Sequence, residues 1–471
     1  MTPTTEWLEN ITYDELQIGH SARLLRTLSM ADIQAFAAVS GDTNPAHLNS
    51  DYANDTLFHG VIAHGMWGGA LISALLGTQF PGPGTIYVSQ DLHFTRPVRV
   101  GDTLTVTATV LRKLDERKQV ELNCQAVNQN GEPVLHGLAR VLAPQKKVRL
   151  PQSYAPQIQL FDPQARQREL LAMGLGLPPE RCAVVHPCDA ESLRGAMDAA
   201  AHGLIAPVLV APEARLRALA GKAGIDLHGA EILPVEHSHA AAAKAAELAA
   251  LGQVGMLMKG SLHTDELMQA VLAQPALRTG RRMSHVFRFD VPLYPKPLLI
   301  TDAALNIHPT LAEKADIIRN AIDFARILGV DVPRAAILSA VETVNPGIPS
   351  TLDAAALCKM ADRGQIAGGV LDGPLAFDNA ISLQAAQIKG IHSPVAGQAD
   401  ILAVPDLESG NMLAKQLEYL AGASSAGIVL GARVPIALTS RADGPQARVA
   451  SALLARLAAH HARQAQERAA N

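Results

Sequence analysis

Cysteine is scarce in this sequence. Its four copies, Cys124, Cys182, Cys188 and Cys358, make no Cys-x-x-Cys pair and no closely spaced set. That removes a disulfide framework and any zinc signature, and leaves free thiols in a reducing, cytoplasmic compartment as the expectation. Long apolar runs are missing as well. None approaches the ~18 residues that a bilayer-spanning helix needs, and the opening MTPTTEWLEN lacks the basic region and apolar stretch of a secretion signal, so no membrane partner is expected. Neither sign of charge dominates: 44 acidic residues against 40 basic ones, net charge -4, leave no electrostatic footprint for nucleic acid. Gly-x-Gly-x-x-Gly and the Gly-Lys-Ser/Thr phosphate loop are both absent, so dinucleotide or ATP binding by the common motifs is unsupported.

A length of 471 residues exceeds one ordinary core, and 48% hydrophobic with 18% charged residues is a folded composition, so two or three domains are expected. Two kinds of pattern divide the chain. From Leu104 to Leu142 the segments LTVTATVLRKL, QVELNCQAV and PVLHGLARVLA read as antiparallel strands, with Asn130-Gly131 as a hairpin turn between the last two. Ahead of them lie a helix opened by a capping box on Ser29 and Asp32 and a second helix, GMWGGALISALL, ending at Gly77. The second helix is apolar all round, which predicts burial on every side within a curved sheet. Between Ala143 and Gln164 proline and glutamine accumulate and periodicity lapses, the mark of a linker. Beyond it, short apolar runs such as APVLVAP, QVGMLMKG, PLLITD and AAILSAVE alternate with Ala-rich helical stretches, which predicts a parallel-rich sheet covered by helices on both faces. The expected layout is an α+β domain over 1–145, a linker over 146–165 and an α/β domain over 166–471.

In SGDTNPAHLN, Asp42 and His47 stand across an Asn-Pro turn that Pro45 stiffens, and Asn44 can position them by side-chain hydrogen bonds. Adding water to a double bond conjugated to a thioester needs a group to deprotonate the water, a group to protonate the alpha carbon, and donors for the enolate oxygen. Asp42 and His47 can bracket one water, while the backbone N–H of Gly65, in AHGM, opens a helix where negative charge is favoured. Taken singly, Asp42 is an ordinary turn residue and His47 an ordinary solvated histidine; His59 and His64 read as structural. FAAVSGDTNPAHLN, VIAHGM and GTIYVSQDLHFTRPVRVGDTLTV resemble the MaoC-type (R)-specific enoyl-CoA hydratases over about residues 10 to 143. The resemblance implies a hot-dog fold, a sheet wrapped around a long helix, in a protein that generally dimerises. It also implies Asp42 and His47 as the acid/base pair on water, Asn44 orienting them, Gly65 as donor to the thioester carbonyl, and Ser73 as a supporting polar residue.

The richest loop of the larger part is VPIALTSRADGPQARVAS. An apolar run ends at Thr439, and Ser440, Arg441 and Asp443 follow on a Gly-Pro turn before a helix. Ligands of parallel α/β sheets sit at the carboxyl ends of strands, and an Arg fork beside a helix N-terminus suits phosphate. MKGSLHTDELM puts Lys259, Ser261, His263 and Thr264 between a strand and a helix, and VETVNPGIPSTLDAAAL puts Asn345, Ser350 and Thr351 likewise, so these loops are expected on one sheet edge. A surface Arg441 paired with Asp443 is the plain alternative. KGSLHTDELM, VNPGIPSTLDAAALCKMADRGQIAGGVLDGPLAFDNAIS and GARVPIALTSRADGP resemble the phosphate acetyl/butyryltransferases over about residues 166 to 465. The resemblance implies an α/β domain of two subdomains that interconverts acyl-CoA plus inorganic phosphate with acyl phosphate plus CoA, uses no metal or other cofactor, and forms homo-oligomers. By position, Arg441 holds the phosphoryl group and Ser440 assists the thiol or the tetrahedral oxyanion. The acetyl branch carries an acid where this chain has Ala447, and ETVNPGIPSTLDAAALCKMADRGQI looks closer to the butyryl branch. The combined expectation is a bifunctional enoyl-CoA hydratase and phosphate acyltransferase. Its alternatives are a transferase whose hot-dog domain is a noncatalytic acyl-CoA-docking or dimerisation module, or a thioesterase.

Overall fold

The structure, a computed structural model, describes residues 7–151, 163–439 and 443–470. The chain divides into two units, Met1–Phe161 and Asp162–Asn471. Among the described residues no helix is long and apolar enough to cross a membrane.

The first unit is built on one antiparallel sheet in the order Ser21–Thr27, Thr103–Leu114, Gln119–Val127, Pro133–Leu142 and Ile86–Gln90, with the short strand His93–Phe94 also paired to Pro133–Leu142. Leu104, Val106, Ala108 and Val110 are buried on one face while the threonines between them turn away, the period-two signature of a half-buried strand. The expected hairpin is present, with Gly131 at φ 78° in the turn. Helix Met30–Ser40 opens with the expected Ser29–Asp32 capping box. Helix Gly65–Thr78 lies against the sheet so closely that a Cβ on Gly68 would meet Leu135 Cδ2 at 2.3 Å. This is the hot-dog arrangement, with one correction. Only Trp67, Gly68, Ile72, Leu75 and Leu76 of the helix are buried; Met66, Ala70, Ser73 and Ala74 are exposed on the chain. A sheet curving past a helix supplies one concave face, so apolar composition all round does not by itself produce burial all round.

Part of the stretch expected as linker is ordered: Arg149–Pro151 pairs antiparallel with Trp7–Glu9 and so belongs to the first unit. Residues 152–162 lie outside the described ones, and a helix begins at Pro163.

The second unit carries an eleven-stranded sheet covered by helices. One parallel block runs Glu231–Pro234, Ile205–Ala211, Glu180–Val185, Met256–Lys259, Ile436–Ala437; another runs Leu298–Thr301, Ile401–Ala403, Arg334–Leu338, Val370–Leu375. Ser424–Leu430 and Ser284–Asp290 join them through successive antiparallel pairings. Three reversals in a row leave the second block antiparallel to the first, so the carboxyl ends of the two blocks face opposite sheet edges. The loops at Lys259–Thr264 and Asn345–Thr351 therefore do not share an edge, contrary to expectation. Ala-rich composition has a packing role: helix Ser238–Ala250 buries Ala241, Ala242, Ala245, Ala246 and Ala249 against its neighbours.

Candidate active sites

In the first unit, Gly41 leaves helix Met30–Ser40 at φ 75° and hands the chain to a tightly capped loop. Asp42 Oδ1 accepts from the Asn44 N–H at 3.2 Å, and Asn44 Oδ1 accepts from the Ala46 N–H at 3.1 Å, capping the short helix Pro45–Leu48 that carries His47. Asn44 thus touches Asp42 through its backbone N–H and, through the cap, the short helix that carries His47. His47 Nδ1 lies 2.9 Å from the Ile62 carbonyl. A carbonyl only accepts, so Nδ1 carries the proton and Nε2 of the neutral ring is left with its lone pair. His64, 3% exposed, is held in the same manner: Nε2 donates to the Asp42 carbonyl at 2.9 Å, the ring lies tilted by 34° against His47 with centroids 3.9 Å apart, and the buried Nδ1 has no partner among the described residues. One ligating atom from each of Asp42, His47 and His64 lies within 4.8 Å of the others, a spread that one water spans with hydrogen bonds of about 2.8 Å. Two imidazoles and a carboxylate could also hold a divalent ion. His47, His64, Gly65, Phe94 and Leu135 line a cavity of about 350 Å³. As the first residue of a helix, Gly65 has an N–H with no acceptor inside that helix, at the positive end of its dipole.

In the second unit, Lys259 ends strand Met256–Lys259, and His263 stands at the residue before helix Thr264–Ala273 without a side-chain bond to it. Lys259, His263 and Thr264, with Phe287, Lys415 and Thr439, line a cavity of about 330 Å³ where the two blocks of opposite direction meet. Two ammonium groups and a helix N-terminus make it hospitable to phosphate. Lys415 also donates to Glu418 at 2.9 Å. Arg448, buried in helix Pro445–Ala470, donates to Thr439 Oγ1 at 2.8 Å and so braces the residue just before Ser440. Ser440 and Arg441 themselves lie outside the described residues.

Several expected residues do not join either cavity. Ser73 sits on the exposed side of its helix, away from the cavity lining. The Ser261 hydroxyl goes to Asp189, whose carboxyl burial pushes up but the Ser192 and Ser261 donors hold below its ordinary value; the Ser261 carbonyl meets His186 Nδ1 at 2.9 Å. Asn345 and Thr351 brace their own turn, the Asn345 N–H donating to Thr351 Oγ1 at 2.9 Å and that hydroxyl reaching the Ile348 carbonyl at 2.7 Å. Ser350 Oγ contacts Ser339 Oγ at 2.8 Å and lines a separate cavity of about 720 Å³ with Lys314, Asp353 and Asp406. These are loop-bracing and remote placements, because the reversed second block carries that loop away from Lys259. Two residues were missed. His64 reads as structural from the sequence although it adjoins Gly65 in AHGM, and Arg448 gives no signal, being one of four arginines in an Ala-rich helix.

The family described as "Phosphate acetyl/butaryl transferase" matches residues 235–456, and the one described as "MaoC like domain" matches residues 16–130. The chain is 60% identical over 298 residues to a phosphate acetyltransferase of Rhizobium meliloti, spanning 63% of this chain and 94% of that protein. It is 41% identical over 281 residues to a phosphate butyryltransferase of Clostridium acetobutylicum, spanning 59% and 93%. A solved branched-chain phosphotransacylase from Enterococcus faecalis V583 is 29% identical with a TM-score of 0.53, covering 59% of this chain and 99% of that one. These identities place the acetyltransferase above the butyryltransferase, the reverse of the leaning read from ETVNPGIPSTLDAAALCKMADRGQI.

Proposed function

Because the chain belongs to the phosphate acetyl/butyryltransferase family through its larger unit, we propose that this unit moves a short acyl group between CoA and phosphate, and that the smaller unit hydrates an enoyl-CoA. The transferase reading is carried by the 60% identity to a phosphate acetyltransferase over nearly its whole length. Acetyl-CoA is accordingly the first substrate to try. The cationic cavity holds hydrogenphosphate near Lys259 and the Thr264 helix start, and Arg441, two residues after Thr439 in the sequence, is the further phosphate ligand of this reading. A phosphate oxygen attacks the thioester carbonyl carbon; the C–O bond forms, the C–S bond breaks, and the phosphate proton ends on the CoA sulfur. Cys358 is not a covalent relay, since burial, with Asp372 and Asp362 nearby, pushes its thiol up to about 12. CoA release from acetyl- and butyryl-CoA, with and without phosphate, tests the reading. Arg441→Ala should raise the phosphate KM about tenfold or more, as expected for a lost charge-assisted contact of ~1.5–3 kcal/mol; unchanged phosphate kinetics remove Arg441 from the site.

The hydratase reading is carried by the His47–Ile62 hydrogen bond, which leaves Nε2 as a base on a ring close to Asp42 and on the same cavity as Gly65. His47 takes a proton from the shared water as its oxygen joins the beta carbon, the pair returns a proton to the alpha carbon, and the Gly65 N–H holds the transient enolate oxygen. Crotonyl-CoA hydration by the full chain is the assay. Turnover that survives Asp42→Asn and His47→Ala would point instead to a docking, dimerisation or thioesterase role for the same fold.

A further inference from the structure

The hydratase reading uses the lone pair of His47 Nε2 and leaves that of His64 unused. His64 is 3% exposed, Nε2 is bound to the Asp42 carbonyl at 2.9 Å, and the buried Nδ1 has no partner among the described residues. A ring nitrogen taken out of water costs free energy until a proton donor or a metal ion takes its lone pair. The two imidazoles are thus set alike. One nitrogen of each donates to a backbone carbonyl, that of Ile62 for His47 and that of Asp42 for His64, and the other is free to ligate. Metal-binding histidines are held in this way, because the carbonyl fixes tautomer and ring orientation and makes the free nitrogen a better ligand. Asp42 completes the set with a carboxylate, one ligating atom of each of the three residues lying within 4.8 Å of the others.

Two imidazoles and one carboxylate suit zinc, with a further position left to water, whereas magnesium and calcium prefer oxygen ligands. His47 and His64 also line a cavity of about 350 Å³, which gives an ion its way in. The fit is loose, and that decides the role. Two ligands of one tetrahedral zinc, each ~2.1 Å from it, stand about 3.4 Å apart, so a set spread over as much as 4.8 Å has to close on the ion. The positive end of helix Gly65–Thr78, next to His64, also works against a cation. Both effects weaken binding, so the ion comes and goes. We propose that zinc binds reversibly to Asp42, His47 and His64 and switches hydration off. The binding stands on the side-chain geometry alone, and its effect on turnover rests on the hydratase reading above. Zinc takes the His47 Nε2 lone pair and the Asp42 carboxylate, the two groups that handle protons, and leaves no base for the reacting water. No covalent bond changes.

The experiment uses the full chain stripped with EDTA and returned to metal-free buffer. Cobalt(II), which reports its ligands by visible absorption, is titrated in and then displaced by zinc. In parallel, crotonyl-CoA hydration is followed with and without zinc. Cobalt absorption should saturate and be lost to zinc, and hydration should fall about a hundredfold or more at saturating zinc, as for removal of its acid/base groups, and recover on adding EDTA. His64→Gln, which keeps a donor for the Asp42 carbonyl, should weaken zinc at least about tenfold, the least that loss of even an outer partner of a metal ligand costs. Its zinc midpoint is read as a ratio of rates within one preparation, which does not depend on the folded fraction. Asp42→Asn is read by cobalt binding alone. Absent cobalt absorption, or absorption that both variants leave unchanged, overturns the site. Hydration that is unmoved or stimulated by zinc once the site is filled overturns the switch. A chain that binds cobalt at these residues yet never hydrates crotonyl-CoA loses the hydratase reading and the switch with it, and keeps the metal site.

Discussion

The two candidate sites are assembled on different length scales. In the first unit Asp42, His47, His64 and Gly65 come from one short stretch, locked by two caps and by side-chain bonds to the Asp42 and Ile62 carbonyls. In the second unit Lys259, Phe287, Lys415 and Thr439 converge from strands and a helix far apart in the chain, and Arg448 braces the last of them from yet another helix. A locally folded site responds to the chemistry of single side chains. A convergent one responds also to the packing that brings its walls together.

The contrast can be broken most sharply at His47. His47→Ala should reduce crotonyl-CoA hydration about a hundredfold or more while leaving phosphate-dependent CoA release within about twofold. Parallel loss of both activities would show that the sites are not independent. Next comes packing: a Cβ at Gly195 would fall 2.5 Å from Arg448 Cδ, so Gly195→Val should destabilise the second unit by about 1–3 kcal/mol and weaken the transferase through Thr439. Thermal unfolding followed alongside both activities checks it, with hydration expected to persist wherever the first unit stays folded. Smaller still is a pH effect. His285 is wholly buried beside Phe287 with no partner on either ring nitrogen among the described residues, and burial pushes its pKa down from 6.5 to about 4, against the pull of Asp302. The unfolded chain takes up this proton first as pH falls. Stability is therefore full above pH 6.5 and declines between 6.5 and 4, by at most about 1.4 kcal/mol per pH unit. Urea midpoints across that window should slope less in His285→Leu than in the parent. The least effect is expected at Ser73: Ser73→Ala should change hydration by less than about twofold, because the side chain lies outside the cavity. A tenfold loss would restore it to the site.

Much of the first unit could be read before any coordinates. The Ser29–Asp32 capping box, the Asn130-Gly131 hairpin and the alternation of Leu104 to Val110 depend on partners a few residues away or on the neighbouring strand of a meander. Asp42, His47 and Gly65 were legible for the same reason. In the second unit strands and helices were recognisable, as were Lys259, His263 and Thr264, because each run carries its own period and each loop follows its own strand.

What the residues alone determined, then, is everything set over a few positions of chain: element type, caps, turns, and the donor and acceptor inventory of each loop. Tertiary structure decided the rest. It decided that helix Gly65–Thr78 keeps one side open, that His64 packs against His47, and that Asn345, Ser350 and Thr351 stand apart from Lys259. It also decided that separate cavities open on Thr439 and on Asp443. Each of these depends on strand direction and packing between segments separated by tens to hundreds of residues, and no local period or motif encodes which way a distant strand will run.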